Sequence, residues 1–275
     1  MSWATLESNA YWTLFTAALL VVGVWEMYRP WRKVSEQLGR RWRSHALLIV
    51  ASGAITVLIF RASLVMIAVT ASHSRFGLLN RPWLPPAIRF VAGFLLLDFL
   101  SYVFHRVSHA FLPLWKVHQV HHSDPDFDLS NGFRNHPLET LINQAAYSGA
   151  IALLAPPPAA VLAAQLAAML AAFFTHANAN LPGWIDKPLR RIFVTPGMHR
   201  VHHSEEVPEQ MANFGEILPW WDRLFGTYLE APAAGSDSVR MGLQGVQSPA
   251  AAGFLFMLMQ PFRARPTSTE IREIR

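Results

Sequence analysis

The sequence predicts an all-α fold, a bundle of four or five membrane helices under a histidine-rich cap on the cytoplasmic side. Three observations carry that expectation. Of the 275 residues, 52% are hydrophobic and only 15% charged, whereas an ordinary soluble chain carries about 25% charged residues. Five apolar stretches, at residues 8–25, 46–70, 87–104, 138–155 and 159–174, reach or approach the roughly 17–25 residues of a spanning helix. Nine of the twelve histidines fall in short clusters at the ends of those stretches or beyond them. The whole chain, residues 1–275, reads as one membrane domain.

The first stretch has no Lys or Arg before Arg29. It lacks the basic opening of a cleavable leader and is expected to stay as a membrane helix. Six basic residues follow it: Arg29, Arg32, Lys33, Arg40, Arg41 and Arg43. Only Arg75 and Arg81 lie between the second and third stretches. Positive charge stays on the cytoplasmic side, so the N-terminus is expected outside and the third helix returns inside. Asp98 sits in that third stretch, where a charge is costly and points to function. Arg61, in the second, is its candidate ion-pair partner. Pro156-Pro157-Pro158 separates the last two stretches. Proline ends one helix and opens the next, which predicts a tight helical hairpin, spanning or re-entrant.

Residues 178–230 are polar and aromatic and form the expected cap, followed by a loop at 231–245. Residues 250–262 are apolar but too short to span and should lie in the interface; the basic tail after Arg263 should be mobile. With this topology all nine clustered histidines fall on one face. The chain has no cysteine, which excludes disulfides, thiolate-held zinc, iron–sulfur clusters and cysteine nucleophiles. Its net charge is +5, but the basic residues flank apolar segments. Membrane lipids, not nucleic acid, are the expected partners.

His105 and His109 are four apart, so a helix projects both from one face. Asp98 and Tyr102 share that face. His118, His121 and His122 repeat the spacing of His199, His202 and His203, H-x-x-H-H. Neighbouring histidines diverge by about 100° on a helix, so each triplet can serve two ions. His176 comes directly after the proline-linked hairpin. Nine imidazoles are too many for one ion and suit two. Imidazole binds iron, copper, zinc and nickel alike. No H-E-x-x-H is present, so a zinc-protease arrangement is unsupported. His45 and His73 read as ordinary hydrogen-bonded residues, and His136 as an outer partner, a ligand or a helix cap. Two classes of function fit: an oxygen-activating enzyme acting on lipid, or a membrane metal-binding or transport protein. Ligands gathered at helix ends, not along the spans, favour the enzyme.

The series H-R-x-x-H, L-W-x-x-H-x-x-H-H-S, F-x-H-x-N, T-P-x-x-H-R-x-H-H-S and W-W-D-R-L-F-G-T-Y, within residues 98–228, resembles the fatty acid hydroxylase superfamily. It is most similar to bacterial sterol desaturase family proteins, a likeness that extends to residues 127–139. The resemblance implies a di-iron oxygenase of a bacterial inner membrane. Such an enzyme uses O₂ and two electrons to hydroxylate a lipid C–H bond, or in related members to desaturate it or cleave an ether lipid. It implies His105, His109, His118, His121, His122, His176, His199, His202 and His203 as ligands to two irons, which zinc can replace. Asp98, Tyr102, His136, Glu139 and Asn180 are candidates to support them. Asn180 stands where some relatives have a further histidine, leaving an open position or a weak ligand. No haem or flavin motif is present, so a separate redox protein is expected to donate electrons. Lys187, Arg190 and Arg191 are candidates to receive it, or to face lipid headgroups. The Trp220–Phe225 segment is expected to pack the cap onto the membrane face.

Overall fold

The computed structural model describes residues 1–33, 37–74, 76–236, 238–246 and 249–263. Arg75 and the basic tail after Arg263 lie outside the described residues. Among those described, every regular element is helical: α1 (Trp3–Tyr28), α2 (Leu38–Phe60), α3 (Leu64–Ser72), α4 (Pro86–Ala110), α5 (Leu112–His122), α6 (Pro137–Leu154), α7 (Pro158–Thr175), α8 (Gly183–Leu189), α9 (Pro196–His202), α10 (Val207–Gln210), α11 (Trp220–Leu224) and α12 (Phe254–Arg263), with short 3₁₀ turns at Leu129–Phe133 and Pro249–Ala252.

Among the described residues, four segments are long and apolar enough to cross a membrane: α1, α2 with α3, α4, and α7. Their outer faces are apolar and uncovered by protein, with Leu20 62%, Val50 67% and Leu58 73% exposed. Such a surface needs lipid as its solvent. With 26 residues, α1 is roughly 39 Å long, enough to cross.

The second apolar stretch is not one helix. It breaks after Phe60, where Arg61 takes a left-handed conformation (φ 53°). Ser63 then caps α3, its Oγ accepting from Met66 N at 3.2 Å and donating to Glu7 Oε2 on α1 at 2.5 Å. A serine cap in an apolar run outweighs the local preference to continue, because it satisfies a helix-end donor that lipid cannot.

The proline-linked pair also differs from a closed hairpin. Ala155 (φ 45°) ends α6 and Pro157 precedes α7, as the proline run predicts. The two helices then diverge: α6 packs mainly on α2 and α3, and α7 on α1, α3 and α4. A space opens between α4, α6 and α7.

Polar ties hold the cap to the bundle. Glu26, near the end of α1, is buried. Its Oε1 accepts from Leu129 N at 2.8 Å and from Asn178 N at 2.6 Å. Asn178 in turn accepts from Arg32 N at 3.0 Å and donates to Arg32 O at 3.0 Å. Arg41, on α2, donates to Asp124 and Asn131 at 3.0 Å and to Asp128 at 2.5 Å. Arg134 reaches Asp124 at 3.3 Å and Ser123 at 2.8 Å. Burial pushes the Asp124 carboxyl up, but Arg41 and Arg134 together hold it well below the usual carboxylate range. Some loop arginines that signal topology in the sequence therefore also hold the fold.

Candidate metal centre

Each histidine reaches the centre from a helix end. His105 and His109 close α4, and Pro113 helps open α5, which ends on His118, His121 and His122. His176 caps α7. Pro196 starts α9, which carries His199 and His202 and is capped by His203. Four helices, from three separate stretches of the chain, thus point imidazoles at one place.

The nine side chains sort into two groups. One holds His105, His109, His118, His122 and His202; the other holds His121, His176, His199 and His203. Within each group the donor atoms all lie within 4.8 Å of one another. In the first, Nε2 atoms approach at 2.8 Å (His105–His202), 3.1 Å (His109–His122) and 3.2 Å (His118–His122). In the second they approach at 3.0 Å (His176–His199), 3.1 Å (His199–His203), 3.2 Å (His176–His203) and 3.3 Å (His121–His176). Nitrogens held about 2.1 Å from one divalent ion are separated by roughly 3.0–3.4 Å, so the spacing fits one ion in each group. Adjacent residues divide as helical geometry requires: His121 and His122 belong to different groups, as do His202 and His203.

The far ring nitrogens define the tautomers. Nδ1 of His105 donates to Phe214 O (2.9 Å), of His176 to Ala172 O (2.9 Å) and of His202 to Ala212 O (2.8 Å). Nδ1 of His118 donates to Glu139 Oε1 at 2.6 Å. A hydrogen on Nδ1 leaves the Nε2 lone pair free for metal and orients the ring. Burial lowers the pKa of His121, His122, His199 and His203, that of His176 to about 4 and that of His202 to about 3. These rings are therefore neutral near pH 7, the form that binds a metal.

The residues expected to support the ligands take several positions. Glu139 alone contacts a clustered histidine through a carboxylate, and its Oε2 has no partner. Tyr102 is buried behind the site, its hydroxyl 3.0 Å from Thr227 Oγ1. Asp98 does not pair with Arg61, whose exposed position at the α2–α3 break directs it elsewhere. Asp98 accepts instead from Trp221 Nε1 at 2.8 Å, and Phe99 packs on Trp221 at 4.9 Å, so the aromatic segment joins the cap to α4. His136 is a helix cap: its Nδ1 accepts from Leu138 N at 3.1 Å and its Nε2 donates to Leu258 O at 3.2 Å. Asn180 is exposed, and its Oδ1 accepts from Arg200 Nη2 at 2.6 Å. It lies outside both histidine groups, because the charged hydrogen bond with Arg200 directs its amide away. His45 is buried against Ser130 at 2.8 Å.

A cavity of about 300 Å³ opens from the histidines. His105, His118, His121, His176 and His199 line one end; Leu64, Leu97, Ile151 and Val161 line the part deep among α3, α4, α6 and α7. Single helix faces build its walls, such as Glu139, Asn143, Tyr147 and Ile151 at four-residue spacing on α6. The size is that of a small-ligand site. The sequence singles out Glu139 but not its partner His118, and this cavity's polar wall is not visible there as such; four-residue spacing on α6 is the one signal for it.

Histidine groups of this kind beside apolar helices could each hold a metal ion. The chain belongs to the fatty acid hydroxylase family, whose model matches residues 90–227. It is 28% identical to ornithine lipid hydroxylase OlsE of Rhizobium tropici across 90% of this chain and 74% of that protein. Alkylglycerol monooxygenase of Homo sapiens is 33% identical across 66% of this chain and 40% of its own length. Methylsterol monooxygenase 1 of Rattus norvegicus is 28% identical across 53% of this chain and 48% of its own. The chain thus spans less than half of each of the last two. No solved structure matches it significantly.

Proposed function

We propose that this protein is a di-iron oxygenase that uses O₂ and two electrons to hydroxylate a C–H bond of a membrane lipid. The observation that carries the reading is one cavity with imidazoles of both groups at one end and an apolar wall between membrane helices at the other. A metal carrier has no use for a partly apolar chamber at its ligands. His105, His109, His118, His122 and His202 would hold one iron, and His121, His176, His199 and His203 the other. Two irons there would supply O₂ activation, which no side chain of this protein can supply alone.

The protein's own groups do the rest. The carbonyls of Phe214, Ala172 and Ala212 and the Glu139 carboxylate fix the imidazoles before metal or substrate arrives. The walls of α4, α6 and α7 align a substrate chain with the histidine end and keep bulk water from it. Alignment of this kind supplies a large share of catalysis. Hydroxylation is favoured over desaturation because it needs one C–H cleavage, not two.

The centre lies, in this reading, on the cytoplasmic side of a bacterial inner membrane, where a separate redox protein delivers electrons. Lys187 and Arg191 on the exposed surface of the cap are suited to an acidic donor or to anionic headgroups. The test is anaerobic loading of purified protein with iron(II), then donor-dependent O₂ consumption with lipid and mass spectrometry of the product. His121→Ala and His202→Ala, one from each group, should each abolish turnover and lower the metal content by one ion per chain, with membrane insertion intact. Full activity in either variant would refute the ligand set.

A further inference from the structure

The middle of the cavity is polar, and its charged side chains are of one sign. Asp98 and Ser101 face it from α4, Tyr147 from α6, Gln165 from α7, and Glu216 from the cap loop after Gly215. Among the described residues that line it there is no Lys or Arg. Asp98 is 2% exposed, and although Trp221 holds its Oδ2, its buried Oδ1 has no partner. Gln165 Oε1 is likewise buried and unpartnered. Glu216 accepts a short hydrogen bond from Ser101 Oγ. Burial pushes its carboxyl up, and the Ser101 hydroxyl is the one group acting the other way. Two carboxylates and an amide oxygen thus border one chamber without a cation to meet them. A wall meant for a hydrocarbon chain would not be built this way, because an unmet buried acceptor costs roughly 1–3 kcal/mol, and more if it is charged.

We propose that Glu216, with Asp98 and Ser101 beside it, is the subsite for a protonated amine on the lipid substrate. This rests on the lipid-oxygenase reading and adds the chemical class of the substrate. An ammonium group has only donors, so it suits the unpartnered oxygens of Asp98 and Gln165, and its charge answers the carboxylates. Asp98 precedes His105 by seven residues on α4, so the amine would sit about 10 Å along the helix axis from that histidine. The part of the lipid on the histidine side of the amine reaches the metal positions, and Leu97 and Ile151, at the level of the wall or beyond it, border its apolar remainder.

The test measures binding to the detergent-solubilised, metal-loaded protein in neutral micelles, with dodecylamine and dodecanol as matched probes. Wild type should bind dodecylamine at least about tenfold more tightly than dodecanol, the size of one charge-assisted hydrogen bond. Glu216→Gln should erase that preference with dodecanol affinity and metal content unchanged. Glu216→Lys should reverse it and favour dodecanoate. Equal affinity of wild type for amine and alcohol, or a preference that survives Glu216→Gln, would overturn the subsite. Metal content and O₂ consumption with lipid are read separately, so failure of the oxygenase reading shows there and not in the probe preference.

Discussion

Replacing Glu139 by glutamine removes one negative charge from the protein interior and almost no volume. Glu139 Oε1 lies 2.6 Å from His118 Nδ1, and the two side chains are 8% and 7% exposed. The Nδ1 hydrogen donates to the carboxylate, which makes Nε2 of that ring a stronger donor to metal. Loss of such an outer partner costs about 10–100-fold in metal affinity, which is about 1.4–2.7 kcal/mol. Glutamine can still accept from Nδ1 through its carbonyl, so the ring keeps its orientation and the loss falls near the tenfold end. Alanine removes the acceptor as well and falls near the hundredfold end. The effect should be confined to one group, since Glu139 contacts His118, a member of the five-histidine set. The assay loads two equivalents of metal anaerobically, titrates a chelator and counts bound metal. Wild type should release metal in two steps; Glu139→Gln should shift one of them by about tenfold and leave the other in place. An unchanged titration, or a shift in both steps, would refute the role given to this carboxylate.

The packing and the charges set three further outcomes. Gly132 lies so close to α7 that a Cβ there would sit 2.6 Å from Ala172 O, the oxygen that receives His176 Nδ1. Gly132→Ala should therefore cost about 1–3 kcal/mol and weaken metal in the four-histidine group first, seen as loss of one ion with the other retained. Asp124→Asn leaves Arg41 and Arg134 buried without their shared anion. It should lower stability by about 3–5 kcal/mol, measured by thermal denaturation in detergent; an unchanged melting temperature would count against the network. Burial lowers His176 to about 4 and His202 to about 3, against about 6.5 unfolded. Between those values the unfolded chain binds protons that the folded chain refuses, so the metal-free protein should lose stability as pH falls from about 6.5 towards 4. A flat melting temperature across that range would show that these rings are not held neutral.

The sequence announces the histidines because helix periodicity turns i, i+3, i+4 spacing into a shared face without help from the rest of the fold. Their division between two groups comes from the same 100° step. Partners contributed by other elements are not legible in this way. Glu139 meets His118 only once α6 is packed beside α5, and Asp98 meets Trp221 across 123 residues. The Arg41–Asp124 pair is similar: a loop arginine and an S-D-P-D run each have an ordinary surface reading until α2 brings them together. The break at Arg61 did have a local sign, a serine at Ser63 able to cap a new helix, but apolar continuity masked it. Asn180 shows the converse, a position suggested by motif comparison whose side chain is engaged by Arg200.

The pairs His121–His122 and His202–His203 each put one residue into each group. Two peptide bonds therefore act as rulers between the metal positions. The separation of ions bound there would be limited by covalent geometry and not only by how two independent pockets pack. A slide of α5 or α9 would carry both positions the same way, so their spacing would hold. A shift of one residue in either triplet would exchange the ligands of both ions together.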